Sequence, residues 1–387
     1  MPIPNGFLEK KNLKKQELKY PLSVCVCESC WLVQLTHTIP AEIMFKNYLY
    51  IPSTAKTMIE HFESMADDVV TRLKPKKDDL IVDIGSNDGT LLSFFKKKQL
   101  RIIGIDPAEN LAQEANARGI PTIANYFSAE TAQTVYKTYD AAKIITATNV
   151  IAHIDNLHTV MEGIKLLLHP QGLFVMEAPY LIDLLDNNEF DTIYHEHLSY
   201  ISIRPLMKLF GKHNLKIVDI VKQPIHGGTV RIFAAHANST FKIHPRVEKF
   251  VSEENLKKLH LRSTYDEFAR RVKVIKRDLR SFLTRIKKEG RSIIGYGASA
   301  KGNVLMNYCN ISTNILDYVV DSTPYKQGKY TPGTHIPIYS EDKLKIETPD
   351  YALLMSWNFA KEIIDKNKAY RERGGQFIIT IPYLKII

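Results

Sequence analysis

The chain has 387 residues, 44% of them hydrophobic, with 52 Lys and Arg against 42 Asp and Glu for a formal charge of +10. That length can fill two or three cores, so at least two domains are expected. No apolar run approaches the roughly 18 residues a membrane span needs, and the opening MPIPNGFLEKKNLKK lacks an apolar signal core, so a cytoplasmic chain is expected.

Three of the four cysteines crowd into VCVCESC (Cys25, Cys27, Cys30) and Cys309 lies far away. This is a poor disulfide framework and a fragment of a metal site, and it suits a reducing compartment. The basic excess is scattered over the ends of helices and loops and along one long helix. It reads as solvated surface first and as a site for an anionic small molecule second; no RNA- or DNA-binding motif accompanies it.

Residues 78–180 alternate short apolar runs with helical patterns, the mark of a parallel sheet covered by helices. DLIVDIGSNDGTLLSFF is strand, glycine turn and helix; RIIGIDP, AAKIITATNV and GLFVMEAP are further strands. From Tyr265 the apolar residues Phe268, Val272, Ile275, Leu279, Phe282 and Ile286 follow at 3,4 spacing, predicting one long amphipathic helix that bridges two domains. RSIIGYGASAKGN, LDYVVDSTP, DYALLMSWN and GGQFIITIP predict a second, smaller sheet.

In VDIGSNDGT, Gly85 and Gly89 flank Ser86, Asn87 and Asp88 between a buried strand and a helix, a turn that lets a ligand reach the backbone. Asp106 ends the next strand, followed by Pro107, and its carboxylate can accept both hydroxyls of a ribose. The GxxxG spacing argues against the tighter GxGxxG of dinucleotide binders, and the pair resembles motifs I and II of the class I methyltransferases that use S-adenosylmethionine. Asn125, Tyr126 and Phe127 in ANYFS, and Asn149 and Ala152 in TNVIAHIDN, fall at the carboxyl edge of the sheet, where such folds bind ligands. His153 stands at the mouth of that pocket.

DTIYHEHLSY carries His195 and His197 two residues apart. In an extended strand both would face one metal, but a catalytic zinc wants a third protein ligand. A base, a metal pair and structural histidines all remain open on spacing alone; beside a methyl donor, a base is the function required, and histidine has a suitable pKa.

PNGFL, YPLSVCVCESCWLVQL, FKNYLYIPS, VDIGSNDGTLL, NVIAHIDN, DTIYHEHLSY, HGGTVR and GYGASAKGN together, in this order over essentially the whole chain, resemble the deoxysugar C-methyltransferase family. The resemblance implies methyl transfer from S-adenosylmethionine to carbon 3 of a nucleotide-linked, dTDP-type 4-keto-6-deoxyhexose. It implies a class I methyltransferase doubly wound α/β sheet, a small zinc-finger-like N-terminal region and a Rossmann-like C-terminal α/β domain. The expected divisions are 1–50, 51–240, a bridging helix in 241–289, and 290–387.

Carried onto matching positions, His197 is the base, with Tyr194 and Glu196 beside it and Tyr48 and His153 completing the polar pocket. A tyrosine or a protonated histidine would stabilise the enolate. His226, Gly227 and Arg231 in HGGTVR are implied on the substrate side. So are Tyr296, Ser299, Lys301 and Asn303 around the second glycine loop, and Asp321, with Lys326 and Lys329 facing diphosphate charge.

Family members carry a Cys-x-x-Cys ahead of the PNGFL stretch, where this chain begins. Cys27 and Cys30 match the second pair, and Cys25 and His37 are the substitutes at hand for the other two ligands. Structural zinc is therefore expected at less than full occupancy, and the start of the chain is open to revision. GYGASAKG, read alone, also fits a nicotinamide site, so an oxidoreductase is one alternative; an RNA methyltransferase and a non-catalytic nucleotide-sugar binder are the others.

Overall fold

The structure is a computed structural model that describes residues 1–45, 53, 55–225 and 227–387; Tyr48 and His226 lie outside the described residues. Strands β1 (Val24–Val26) and β2 (Val33–Leu35) pair antiparallel around a turn closed by Cys27 and Trp31, with the Trp31 N–H 2.7 Å from the Cys27 carbonyl. Next come β3 (Leu80–Ile84), β4 (Arg101–Asp106), β5 (Thr122–Ala124), β6 (Ala142–Thr148) and β7 (Leu168–Pro179). The short β8 (Ser199–Tyr200) leaves this series and pairs with β2, so the N-terminal hairpin is completed by the segment that follows His197.

With β9 (Leu215–Gln223) and β10 (Thr229–His236) the central sheet has the order β5-β4-β3-β6-β7-β10-β9, parallel except for β10, which is antiparallel to both neighbours. β3 is buried at every position, as a strand covered on both faces must be. Leu80, Val82 and Ile84 face one core and Ile81 the other, the two-residue period of a strand. The helix Lys56–Leu73 packs Met58, Phe62, Met65 and Val69 into the second core. Strand order reverses between β3 and β6, which opens a crevice at their carboxyl ends.

The helix Arg262–Lys288 buries Phe268, Val272, Leu279, Leu283 and Ile286. Arg271 near its start donates to the Leu185 carbonyl (2.7 Å) and Lys287 at its end to Asp317 (2.6 Å), so it touches residues on both sides of itself in the chain.

Strands β11 (Ile293–Tyr296), β12 (Val319–Val320), β13 (Ile338–Tyr339), β14 (Tyr351–Leu354), β15 (Gln376–Ile379) and β16 (Lys385–Ile386) form the second sheet, in the order β13-β12-β11-β14-β15-β16. Only β16 runs antiparallel. Its order reverses between β11 and β14, and that crevice and the first open into one cavity of about 1090 Å³. No helix among the described residues is long and apolar enough to cross a membrane.

Arg231, expected on the substrate side, lies in β10 at 2% exposure, its Nε 2.6 Å from Glu177 and its Nη1 3.0 Å from Asp68. It does not line the cavity. A polar residue in a buried strand reads the same in sequence whether it meets a ligand or an internal counter-ion. Burial alone would push the Glu177 carboxyl up, but the hydrogen bond from His61 (2.7 Å) and the Arg231 charge outweigh it and hold it below the usual value. That stabilisation is therefore present above the unfolded-state value and lost as pH falls through the folded one. Arg231→Ala should cost about 3–5 kcal/mol in urea unfolding, because it leaves a buried carboxylate short of its partner; a loss under 1 kcal/mol would contradict this account.

Candidate active site

The wall at the end of β3 is built by backbone that only a few residues can adopt. Gly85 has φ +68° and a Cβ there would lie 2.5 Å from Val150 Cγ2; Gly89 has φ +75° against Ile120. Asn87 (φ +52°) and Asn149 (φ +56°) hold the same left-handed region, which asparagine tolerates. Asp106 accepts from the Asn87 N–H and the Ala108 N–H, both at 2.8 Å, and lies against the cavity. Burial pushes its carboxyl up, against the pull of those two bonds.

Asp88 is fully buried; its Oδ1 accepts from Thr90 Oγ1 at 2.6 Å and its Oδ2 meets Arg118 at 3.1 Å, so it ties the turn to the start of the helix at Thr90. Ser86, Asn87, Pro107, Tyr126, Phe127, Asn149 and Ala152 all line the cavity, and Ser86 Oγ and Asn149 Oδ1 are buried without a hydrogen-bond partner. Asn125 does not line it; its side chain accepts from the Tyr126 N–H (2.8 Å) and shapes the turn that does. The sequence reading missed Asp83, the one acid in an otherwise apolar strand. It faces the cavity, and burial pushes its carboxyl up to about 7 despite the 2.6 Å bond from Thr146. An isolated acid in the last turn of a buried strand was the available signal.

A cradle of backbone that a Cβ would fill, a buried amide oxygen without a donor and a carboxylate at a strand end fit a nucleoside bearing a charged side chain. S-adenosylmethionine has that form, and Gly85 to Asn87, Asp106, Phe127 and Asn149 are the residues that would hold it.

On the opposite wall, residues 192–200 hang between the two sheets. The Leu198 N–H donates to the Ala152 carbonyl (2.8 Å) and the Leu35 N–H to the Leu198 carbonyl (2.9 Å). His197 Nδ1 lies 2.7 Å from the Thr192 carbonyl. A carbonyl can only accept, so Nδ1 carries the proton and Nε2 is the ring's basic nitrogen. The rings of Tyr194 and His153 lie 4.0 and 5.0 Å from it, centroid to centroid. Burial pushes the His153 imidazole down to about 4, so it is neutral at pH 7. Tyr194, Glu196, His197 and His153 all line the cavity.

His195 does not. It is fully buried with its ring edge-on to Tyr20, 6.1 Å away, and burial pushes its pKa down. The two histidines thus serve different surroundings and form no metal pair.

From the second sheet, Tyr296, Ser299, Lys301, Asp321 and Lys326 line the far end. Ser299 caps the helix Ala300–Cys309. Asp321 clamps its own loops through the Ala298 N–H (2.7 Å) and Thr323 N–H (2.8 Å), with Lys326 at 3.2 Å. Lys301 stands 4.5 Å over the Trp357 ring, facing the buried Asp191 and Glu189, whose carboxyls burial pushes up to about 6 and about 7. Asn303, Gly227 and Lys329 lie away from this cluster. None lines the cavity: Asn303 is 1% exposed and donates to the Pro4 carbonyl (2.7 Å), Gly227 packs against Glu189 at φ +92°, and Lys329 lies 3.8 Å from Glu9.

Residues 58–220 match a family profile described as "Methyltransferase domain" and residues 224–382 one described as "C-methyltransferase C-terminal domain". Residues 1–45 match a "Putative zinc binding domain". Over 386 residues the chain is 38% identical to C-methyltransferase NovU of Streptomyces niveus, covering all of this chain and 92% of the relative. The chain belongs to the S-adenosylmethionine-dependent C-methyltransferase family. This is the family its eight motifs resemble, and with it come the cofactor and the class I methyltransferase fold.

Solved structures resemble only part of it. Magnesium protoporphyrin IX methyltransferase from Synechocystis PCC 6803 has a TM-score of 0.37 at 14% identity, over 46% of this chain and 84% of its own. An S-adenosylmethionine-dependent methyltransferase from Clostridium acetobutylicum scores 0.37 at 12% identity, over 46% and 92%.

The family's zinc does not fit the described residues, among which no three His, Cys, Asp or Glu side chains gather to hold a metal. Cys25 is exposed, and His37 stacks on Tyr20 with ring centroids 6.3 Å apart. Cys27 and Cys30 interact with each other, and Lys208 donates to the Ser29 carbonyl between them. Elemental analysis of protein made in zinc-supplemented medium should return less than one zinc per chain; a full equivalent, lost on Cys27→Ser, would show a complete site.

Proposed function

We propose that this C-methyltransferase methylates carbon 3 of a nucleotide-linked 4-keto-6-deoxy sugar, dTDP-linked by the resemblance, through an enolate formed by His197. The observation that carries the reading is the 2.7 Å contact of His197 Nδ1 with the Thr192 carbonyl, which assigns the basic nitrogen. A ketone at carbon 4 acidifies the hydrogen on carbon 3, and an imidazole held in one tautomer can remove it. The phenol of Tyr194 and the neutral imidazole of His153 are the donors at hand for the enolate oxygen.

S-adenosylmethionine supplies a methyl group on a sulfonium, an electrophile that a carbon nucleophile can attack without a metal. The residues around Gly85 and Asp106 would hold it in the cavity that His197 also lines, whose walls at Ile39, Leu181 and Leu184 are apolar and would keep water from the enolate. The far end of the cavity, with Lys301 and the helix start at Ser299, takes the nucleotide's diphosphate. Methyl-labelled S-adenosylmethionine incubated with a panel of 4-keto-6-deoxy nucleotide-sugars should give a product heavier by one methyl on carbon 3. Transfer to oxygen, or none to any member of the panel, would refute the reading.

A further inference from the structure

Asn5 lies at the far end of the chain from the residues discussed above, yet its side chain lines the cavity. Its Nδ2 donates to Glu196 Oε1 at 2.6 Å, a contact between residues 191 apart in sequence. Glu196 is 1% exposed, so this bond lies out of bulk water, where a hydrogen bond is electrostatically stronger.

Asn5 is itself fixed from the C-terminal part of the chain, by the helix Ala300–Cys309 and the segment at Tyr330. Asn303 Nδ2 holds the Pro4 carbonyl (2.7 Å), and Leu8 and Tyr330 exchange two backbone bonds of 2.9 Å. Between these anchors the Gly6 N–H closes a turn on the Ile3 carbonyl (3.0 Å) that presents Asn5 inward.

We propose that Asn5 is a positioning residue of the methyl-transfer site, aiming the Glu196 carboxylate at the sugar from a strap that Asn303 and Tyr330 hold in place. The amide fixes one carboxylate oxygen, and with it the plane of the group. The carboxylate held in that plane would then accept from a hydroxyl of the substrate, so that carbon 3 sits over His197. This rests on the function proposed above. The bonds that hold the strap go to Glu196, Asn303 and Tyr330 and not to Asp106, so its effect on the cofactor should be small.

A double-mutant cycle of Asn5→Ala and Glu196→Gln, with the sugar that the wild type turns over best, tests it. Asn5→Ala alone should lower kcat by about 10- to 100-fold, the scale of one hydrogen bond to a charged group. The sugar KM should stay within about threefold and the S-adenosylmethionine Kd unchanged. In the Glu196→Gln background Asn5→Ala should add little further loss. Independent, multiplying effects, or a loss confined to KM, would overturn the proposal. A crystal structure of Asn5→Ala gives an arm that needs no turnover: the Glu196 carboxylate should leave its wild-type position, and an unmoved carboxylate would equally overturn it. A wild type inactive on every 4-keto-6-deoxy sugar would instead remove the functional reading, while leaving that crystallographic arm intact.

Discussion

His197→Asn should abolish most turnover while leaving the cofactor site untouched. Asparagine keeps comparable bulk and a donor for the Thr192 carbonyl, so residues 192–198 need not rearrange, but it has no basic nitrogen at neutral pH. General-base catalysis is commonly worth about 10²–10⁴-fold, and kcat should fall on that scale. The S-adenosylmethionine Kd should not follow, since Gly85 and Asp106 lie at the ends of β3 and β4, away from the segment that carries His197. The proton step is visible alone: in heavy water, with S-adenosylhomocysteine in place of the donor, the wild type should exchange the carbon 3 hydrogen of a 4-keto substrate and the variant should not. Exchange retained in His197→Asn and lost in His153→Asn or Tyr194→Phe would move the base to another side chain.

The complementary result is expected from Asp106→Ala, which should remove cofactor binding before it touches chemistry. One carboxylate holds the Asn87 and Ala108 N–H groups and faces the cavity where a ribose would lie. Hydrogen bonds to a charged group contribute about 1.5–3 kcal/mol each, so two ribose hydroxyls correspond to a Kd weakened by on the order of 100-fold or more. At a ligand concentration 100 times the wild-type Kd, the stabilisation should fall from about 2.7 to about 0.4 kcal/mol, which a thermal-shift titration reads directly. The unliganded melting temperature is the control, because Asn87 and Ala108 lose their acceptor too. An unchanged shift in Asp106→Ala would place the ribose elsewhere; stabilisation of the wild type by nicotinamide dinucleotide alone would place a different cofactor in the cavity.

What the sequence disclosed was local. A glycine turn, an acid at the end of the following strand and a 3,4-spaced helix are each written within about 30 residues, and periodicity and steric rules decode them. The role assigned to His197 came from resemblance to a family, and the structure adds the atom that makes it chemically specific. What stayed hidden was pairing across the chain. Arg231 and Asn303 carry the same polarity whether they meet a ligand, Glu177 or the Pro4 carbonyl, and only the fold distinguishes these. Asn5 was read as part of a motif and given no task, because its partner lies 191 residues away. Asp83 escaped for the opposite reason: it sits inside the best-recognised motif, where the glycines beside it drew the interpretation.

The clasp between Pro4, Leu8 and the C-terminal residues Asn303 and Tyr330 bears on how the molecule is made. Pro4 leaves the ribosome 299 residues ahead of Asn303, the side chain that holds it, so through most of synthesis the strap has nothing to close on. The central sheet can assemble from its own neighbouring strands meanwhile, since domains generally fold as units during translation. Contacts of such long sequence separation form late because the loop they close must first be ordered. A nascent chain released before β11 emerges should therefore hold a glycine turn and Asp106 able to take up cofactor, with Asn5 still away from Glu196. The methyl donor's seat would be ready early, and Glu196 would be set only when the last quarter of the polypeptide arrives.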